Sequence, residues 1–398
     1  MIHLLIGSTW RSGGSLLARL FDHHPDVASL PFELRLPMDP ALHPALGRRG
    51  DRDHVQDFPV LDEALSPDQV LAAVGLDARP KRCLVGRHFR DGRLLAKTRH
   101  LEVPAAFDHP LFLTRFRAAV EKERSLAGVY DALFRELFAI WDGGLHGGSL
   151  EFAVAHRANG LLADVERFLA EFAESALIVP VRSLRGCLAS EKRKVLSQLA
   201  TGRVARGWRP GDRWLGRVSG RFSEHTIVGW LAAMTRAVIL KERLGERVVV
   251  LHFEDLVREP EPTLRRLADA VGLRFDPSLL QPTNGGHPWA GNSMFGPVGG
   301  VDPDRTAARG ALNETEEAVI ERTAAPLLAY LESCRGRLLD FADLDRAHLF
   351  DYELQSRYYP DREKTALYLA TVFERWPERS LWRRLSDAVR RRPNSFYL

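Results

Sequence analysis

The residues best suited to chemistry lie near the start of the chain, between Gly7 and Ser15. The segment is rich in glycine and also carries Arg11, Ser12 and Ser15, whose side chains donate hydrogen bonds. A glycine-rich turn between a strand and a helix presents backbone N–H groups, and the helix dipole there favours negative charge. The segment therefore predicts an anion-binding loop, with a strand-to-helix turn that needs glycine for positive φ as the alternative.

Two common phosphate-binding patterns do not describe this loop. The Walker A pattern is GxxxxGK[ST], but here Gly13 lies six residues after Gly7 and no lysine precedes the hydroxyl residue. The GxGxxG pattern of dinucleotide sites is absent as well. Both differences argue against an ordinary ATP or NAD site.

An anion-binding loop of this kind needs a strand before it and a helix after it, and the hydrophobic pattern of the sequence predicts both. Residues 2–6 form a short apolar run, and a helical pattern begins at Ser15, with Leu16, Leu17 and Leu20 on one face. Pro25 is expected to end that helix.

Later segments repeat the order of strand and helix. The predicted strands are residues 176–181 and 248–253, and the predicted helices are residues 111–142, 161–173, 184–199 and 263–271. Gly272 is a typical residue to end the last of these. Strands alternating with helices predict an α/β fold with a parallel sheet flanked by helices.

The loop resembles a known family. Residues 10–15, Trp-Arg-Ser-Gly-Gly-Ser, resemble the 5′-phosphosulfate loop of sulfotransferases that use 3′-phosphoadenosine 5′-phosphosulfate (PAPS). The continuation through His24-Pro25-Asp26-Val27 is similar too. The likeness is nearest to the carbohydrate and tyrosylprotein branches and their bacterial relatives.

A second motif follows in the order that this family has. Arg182 ends a predicted strand, and Ser190 lies eight residues later in the next helix, as in the family's 3′-phosphate motif. Arginine can contact a phosphate through two parallel N–H groups of its planar guanidinium, whereas lysine acts as a point charge. Here Ser183-Leu184 stands where the family usually has Asp-Pro.

Two further segments are similar to the family. Phe253-Glu254-Asp255-Leu256 matches its Tyr/Phe-Glu-Asp-Leu segment, and we interpret the two acids as structural. Residues 291–294 resemble the segment whose backbone closes over the 3′-phosphate.

The resemblance implies a P-loop-NTPase-like sulfotransferase core in residues 1–335, with an irregular insert at about 37–80 and a helical C-terminal extension at 336–398. It implies transfer of a sulfuryl group from PAPS to a hydroxyl acceptor, either a carbohydrate or a small molecule. Arg11 would touch the transferring oxygens, and Ser12, Gly13, Gly14 and Ser15 would hold the 5′-phosphate. Arg182 and Ser190 would hold the 3′-phosphate. This scheme requires no metal, and the sequence shows no metal-ligand spacing.

The acceptor hydroxyl needs a general base. Glu33 is the leading prediction, because the tyrosylprotein branch keeps a glutamate base after a similar His-Pro-Asp-Val stretch. His23, His24, His156 and His225 are the alternatives, since histidine is the base in the cytosolic branch.

Composition limits the other possibilities. The 398 residues are 45% hydrophobic and 27% charged with a net charge of +4, which is ordinary globular composition and too balanced to indicate nucleic-acid binding. No run is long enough to span a membrane, there is no secretion-signal pattern, and the three cysteines are far apart. These features predict a cytoplasmic protein.

Three other functions remain open from the sequence. One is a nucleotide- or polyanion-binding protein without turnover, and another is a P-loop kinase-like phosphotransferase. In the third, the basic residues of segment 361–398 serve for oligomer formation or docking.

Overall fold

The computed structural model describes residues 1–8, 11–29, 89–90, 93–97, 102–106, 108–141, 150–158, 169–170, 172–200, 215–289 and 314–346, and the single residues 291, 301, 312 and 349. These residues form a five-stranded sheet. Its strands are β1 (Ile2–Ser8), β2 (Val27–Ser29), β6 (Phe152–Ala158), β7 (Ala176–Val181) and β8 (Val248–His252). Their order across the sheet is β2-β6-β1-β7-β8, and every neighbouring pair is parallel.

The sheet is covered on both faces, which confirms the α/β prediction. Alternate residues of β7 and β8 enter two hydrophobic clusters: Val179 and Val250 belong to one, and Ile178 and Val249 to the other. Every residue of β7 and β8 is buried. Continuous apolar runs of this kind are typical of parallel strands with helices on either side.

The structure gives the bounds of eight α-helices. They are α1 (Gly14–Leu20), α2 (His109–Lys122), α3 (Leu126–Ile140), α4 (Leu184–Ala200), α5 (Leu215–Leu244), α6 (Phe253–Arg258), α7 (Pro260–Val271) and α8 (Glu314–Ser333). Gly272 ends α7 with φ 70°, in the left-handed conformation that glycine adopts easily. No helix in the described residues is long and apolar enough to cross a membrane.

Two small antiparallel sheets lie outside the main one. β3 (Phe89–Arg90), β4 (Arg93–Lys97) and β5 (Glu102–Ala106) form the first, and β9 (Thr283–Asn284) pairs with β10 (His287–Pro288) in the second. Asp22, just after α1, accepts hydrogen bonds from Thr283 Oγ1 at 2.9 Å and from the Gly286 N–H at 3.0 Å. The second hairpin is therefore fixed to the end of α1.

Most predicted elements are present, with some changed ends. β1, β7, α4 and α7 lie where the pattern placed them, and α2 and α3 account for the helical stretch 111–142. β8 ends at His252, because Phe253 already begins α6. α1 ends at Leu20, before Pro25, since residues 21–26 form turns. The strands β2 and β6 were not predicted.

Several predictions fall outside the described residues. They include the insert at 37–80, Glu33, the motif residues 292–294, most of the helix predicted at 161–173 and most of the extension after residue 346. Just after residue 335, the chain contacts the sheet, and the N–H of Leu339 donates to the Val250 carbonyl at 2.9 Å.

Candidate active site

The loop between β1 and α1 has two residues in the left-handed region. Gly13 precedes α1 with φ 97°, and Arg11 has φ 64°. A Cβ on Gly13 would overlap the ring of Phe253, so both the conformation and the space at this position require glycine. A residue such as Arg11 adopts this region at a cost, and such conformations cluster at functional sites.

Arg182 follows β7 and reaches the loop. Its Nη1 donates to the carbonyl of Arg11 at 3.2 Å, and its guanidinium carbon lies 4.8 Å from the centre of the Phe253 ring. The side chain is buried, with 8% exposed. Burial lowers the pKa of Arg182, while Cys187 and Glu254 oppose that effect. An arginine stays protonated even so, and the structure therefore holds a positive charge in a poorly hydrated position.

Ser190, on α4, also contacts the loop. Nε of Arg11 donates to Ser190 Oγ at 2.9 Å, and the same nitrogen lies 3.8 Å from Oε2 of Glu191. The structure thus brings Arg11, Arg182 and Ser190 together at the carboxyl ends of β1 and β7, the edge where open parallel sheets bind ligands. The family resemblance assigns Arg11 and Ser190 to different ends of PAPS, whereas in the structure their side chains are hydrogen-bonded to each other.

The first turn of α4 is capped by Ser183, although the Asp-Pro pair that is usual in the family is absent. Ser183 Oγ accepts from the Gly186 N–H at 3.2 Å, which is the hydrogen bond of a helix-capping serine. The N–H of Ser183 donates to Glu254 Oε1 at 2.9 Å. Two polar side chains therefore fix the turn between Arg182 and the helix that carries Ser190.

Trp230 and Gly186 also position Arg182, although neither belongs to a predicted motif. Trp230 Nε1, on α5, donates to the Arg182 carbonyl at 2.7 Å. A Cβ on Gly186 would lie 2.7 Å from Arg182 Nε, so glycine leaves room for the arginine side chain. A glycine inside a predicted helix is itself a signal, because it costs about 1 kcal/mol relative to alanine and usually has a packing reason. Nothing in the sequence pattern singled out Trp230.

Glu254 and Asp255, in the first turn of α6, accept hydrogen bonds from segments that are distant in the sequence. Glu254 caps the turn at Ser183, as described above. Asp255 accepts from Arg335 Nη1 at 2.8 Å and from the Gly336 N–H at 2.7 Å. Residues just after α8 are therefore attached to the turn that follows β8.

The structure describes the side chains of two of the five candidate bases, His23 and His24. Glu33 lies outside the described residues, and the side chains of His156 on β6 and His225 on α5 are not described. His24 is buried; its Nε2 contacts the Arg274 carbonyl at 2.9 Å and its Nδ1 accepts from the Asp26 N–H at 3.1 Å. Both ring nitrogens are occupied, so His24 stabilises the turn after α1. His23 is exposed.

The sequence profile of the Sulfotransferase family matches residues 4–277, which include the loop, Arg182, Ser190 and the Phe253–Asp255 turn. The chain belongs to this sulfotransferase family. No curated protein matches it by sequence. Helix α8 lies beyond the matched range.

Solved sulfotransferase structures are also similar to the chain. The sulfotransferase domain of the Synechococcus PCC 7002 olefin synthase is 15% identical with a TM-score of 0.40, over 82% of this chain and 94% of that one. The sulfotransferase domain of the curacin biosynthetic pathway is 15% identical with a TM-score of 0.33, over 81% and 98%. Sulfotransferase STF9 from Mycobacterium avium is 15% identical with a TM-score of 0.33, over 70% and 66%.

Family membership makes the chain an enzyme of sulfuryl transfer, with a hydroxyl-bearing acceptor as the general class. The site geometry suits that chemistry, because sulfuryl transfer places negative charge on the leaving oxygens and needs fixed cationic donors beside them. Among the described residues, no group of three or more His, Cys, Asp or Glu side chains is arranged to hold a metal ion.

Proposed function

We propose that the chain moves a sulfuryl group from PAPS to the hydroxyl of an acceptor, with carbohydrates as the first acceptor class to test. The observation that carries the donor assignment is the meeting of Arg182, Arg11 and Ser190 at one edge of the sheet. A donor with a second phosphate needs two cationic positions, and an arginine with a nearby hydroxyl suits the additional 3′-phosphate.

The chemistry of the donor set supports this proposal. Arg182 is a buried cation whose side chain also contacts the loop through the carbonyl of Arg11. Charge-assisted hydrogen bonds are stronger than neutral ones, and they gain further strength where the surroundings are poorly hydrated. A dianionic 3′-phosphate beside Arg182 would therefore gain more binding energy than a neutral 3′-hydroxyl.

PAPS would supply the sulfuryl group and leave as adenosine 3′,5′-bisphosphate. In our proposal Arg11 lies against the transferring oxygens, and the backbone amides of residues 12–15, with the hydroxyl groups of Ser12 and Ser15, bind the 5′-phosphate. Arg182 and Ser190 bind the 3′-phosphate. Holding both ends in fixed positions lowers the entropic cost of reaching an in-line arrangement.

The acceptor oxygen forms the new bond to sulfur while its proton passes to a base. We propose Glu33 for that base, on the family resemblance of its position after His24-Pro25-Asp26-Val27. Burial near the site would raise the pKa of a carboxyl group toward the working pH, which a general base needs.

Calorimetric titration tests the donor site. The ligands are adenosine 3′,5′-bisphosphate and ADP, which carry two phosphates in different places. Wild type is expected to bind the bisphosphate at least tenfold more tightly than ADP. Arg182→Ala should remove that preference, and Arg182→Lys should restore only part of it, since lysine keeps the charge without the two-pronged contact.

Arg265→Ala is the matched control, because Arg265 is an exposed arginine on α7 paired with Glu261. It should leave both affinities unchanged. Equal affinities of wild type for the two ligands would contradict the proposed donor. Transfer of labelled sulfate from PAPS to a panel of sugars and small alcohols then tests turnover. Bisphosphate binding without transfer to any member of the panel would favour a binding protein.

A further inference from the structure

Phe253 occupies a position between the two proposed phosphate-binding segments. It is the first residue after β8, and its side chain is buried, with 6% exposed. One edge of its ring fills the space where a Cβ of residue 13 would lie. Its face lies 4.8 Å from the guanidinium carbon of Arg182. The ring therefore contacts the glycine of the first motif and the arginine of the second.

These two contacts have different physical origins. Against Gly13 the ring makes close packing, which admits no larger residue and fixes how near the loop lies to β8. Against Arg182 it makes a cation–π contact, in which the negative face of the ring attracts the positive guanidinium. Because Arg182 is buried, that attraction is stronger than it would be in water.

Two hydrogen bonds next to Phe253 connect the same segments. Arg182 also donates to the carbonyl of Arg11, and Glu254 accepts from the N–H of Ser183. The Phe253-Glu254 pair thus fixes both the side chain of Arg182 and the backbone that follows it.

We propose that Phe253 is a positioning residue that sets the spacing between the loop and Arg182, so that both phosphates of one donor are bound at the same time. This inference rests on the proposed function. It predicts that loss of the ring weakens the contribution of the 3′-phosphate to binding, while the 5′-phosphate still binds to the loop.

The test compares adenosine 5′-monophosphate with adenosine 3′,5′-bisphosphate by calorimetry on the full chain. The ratio of the two dissociation constants measures what the 3′-phosphate adds. Phe253→Leu should reduce this ratio about tenfold, as expected for the loss of a desolvated cation–π contact and of its packing. Phe253→Tyr keeps the ring and should retain the ratio within about threefold.

Phe275→Leu is the matched control, because Arg265 stacks on Phe275 at 3.9 Å on the surface of α7. It should leave the ratio unchanged. An unchanged ratio in Phe253→Leu would overturn the inference. This holds if both affinities fall equally, as expected for a merely structural residue, and also if neither affinity changes. A ratio of one in wild type would instead contradict the 3′-phosphate site and the proposed function with it.

Discussion

Arg11 Nε lies 2.9 Å from Ser190 Oγ, although 179 residues separate them in the chain. The nitrogen donates and the hydroxyl oxygen accepts, which leaves the hydroxyl proton of Ser190 oriented away from Arg11. The hydrogen bond joins the loop after β1 to the helix after β7. A direct contact between the two motifs reduces the ordering that is needed to bind one ligand with both of them, which favours binding.

Gly13 offers the sharpest test of the loop. Gly13→Ala adds a methyl group that overlaps the Phe253 ring, at a backbone φ of 97° that disfavours alanine. We expect a loss of about 2–4 kcal/mol in the free energy of unfolding, from strain and overpacking together, measured by urea denaturation. Gly245→Ala is the matched control, with φ 56° and open space around its Cβ. It should lose about 1 kcal/mol, from strain alone. Equal losses in the two variants would contradict the packing argument.

Gly186 should matter for binding more than for stability. Gly186→Ala places a Cβ 2.7 Å from Arg182 Nε and 3.0 Å from Ser183 Oγ. Alanine favours the helix by about 1 kcal/mol, which offsets part of the crowding. We expect the melting temperature to change little and the affinity for adenosine 3′,5′-bisphosphate to fall about tenfold, because Arg182 must move. Circular dichroism and calorimetry measure the two effects, and unchanged affinity would disprove the displacement of Arg182.

Helix α8 is joined to α4 by an ion pair with a buried carboxylate, and an exposed pair on α7 serves for comparison. Lys192 Nζ lies 2.6 Å from Oε2 of Glu316, which is buried, whereas Glu261 and Arg265 form an exposed pair on α7. Glu316→Gln should destabilise the protein by about 1–3 kcal/mol, because it removes one partner of a partly buried pair. Glu261→Gln should cost at most about 0.5 kcal/mol. Urea denaturation at low and high salt compares them, and equal losses would show that burial of Glu316 does not strengthen its pair.

Stability should fall in mild acid because of His252. Burial lowers the pKa of His252 below its ordinary value of 6.5, although Asp255 opposes the shift. The unfolded chain therefore takes up a proton first as the pH falls. The stabilisation is complete above pH 6.5 and is lost below it, by at most about 1.4 kcal/mol for each pH unit.

His252→Leu removes this titration, and its unfolding free energy should vary less between pH 7 and pH 5 than that of wild type. His23→Gln is the control, since His23 is exposed. His3 and His109, whose pKa values are also lowered by burial, contribute to the slope that remains. An identical slope in wild type and His252→Leu would contradict this assignment.

The predictable parts of the fold are those with a strong local signal. β7 and β8 are continuous apolar runs, and α7 has an apolar face that ends in glycine. β6 was missed because its sequence, Phe-Ala-Val-Ala-His-Arg-Ala, is rich in alanine and ends in polar residues. β2 has only three residues, too few for a pattern. Both gain their stability from pairing in the sheet and not from local preference.

The residues of the site likewise divide into those that a local motif indicates and those that only the fold brings together. The order and spacing of the motifs singled out Arg11, Arg182 and Ser190 as site residues, and the structure brings these three residues together. The capping of Ser183 by Glu254 joins residues 71 positions apart, and the packing of Phe253 against Gly13 is equally non-local. No local pattern encodes such contacts, because they depend on which strands become neighbours.

The attachment of Asp255 to Arg335 and Gly336 has a consequence for biosynthesis. The turn that holds Phe253 and Glu254 receives its last hydrogen bonds from a segment 81 residues further along the chain. At about 5–20 residues per second, a ribosome needs about 4–16 seconds to make that stretch. The nascent chain can close its sheet in this interval, but Asp255 gains these partners only after translation has passed α8. The first turn of α6, which carries Phe253, is thus completed only after the segment that follows α8 has been synthesised.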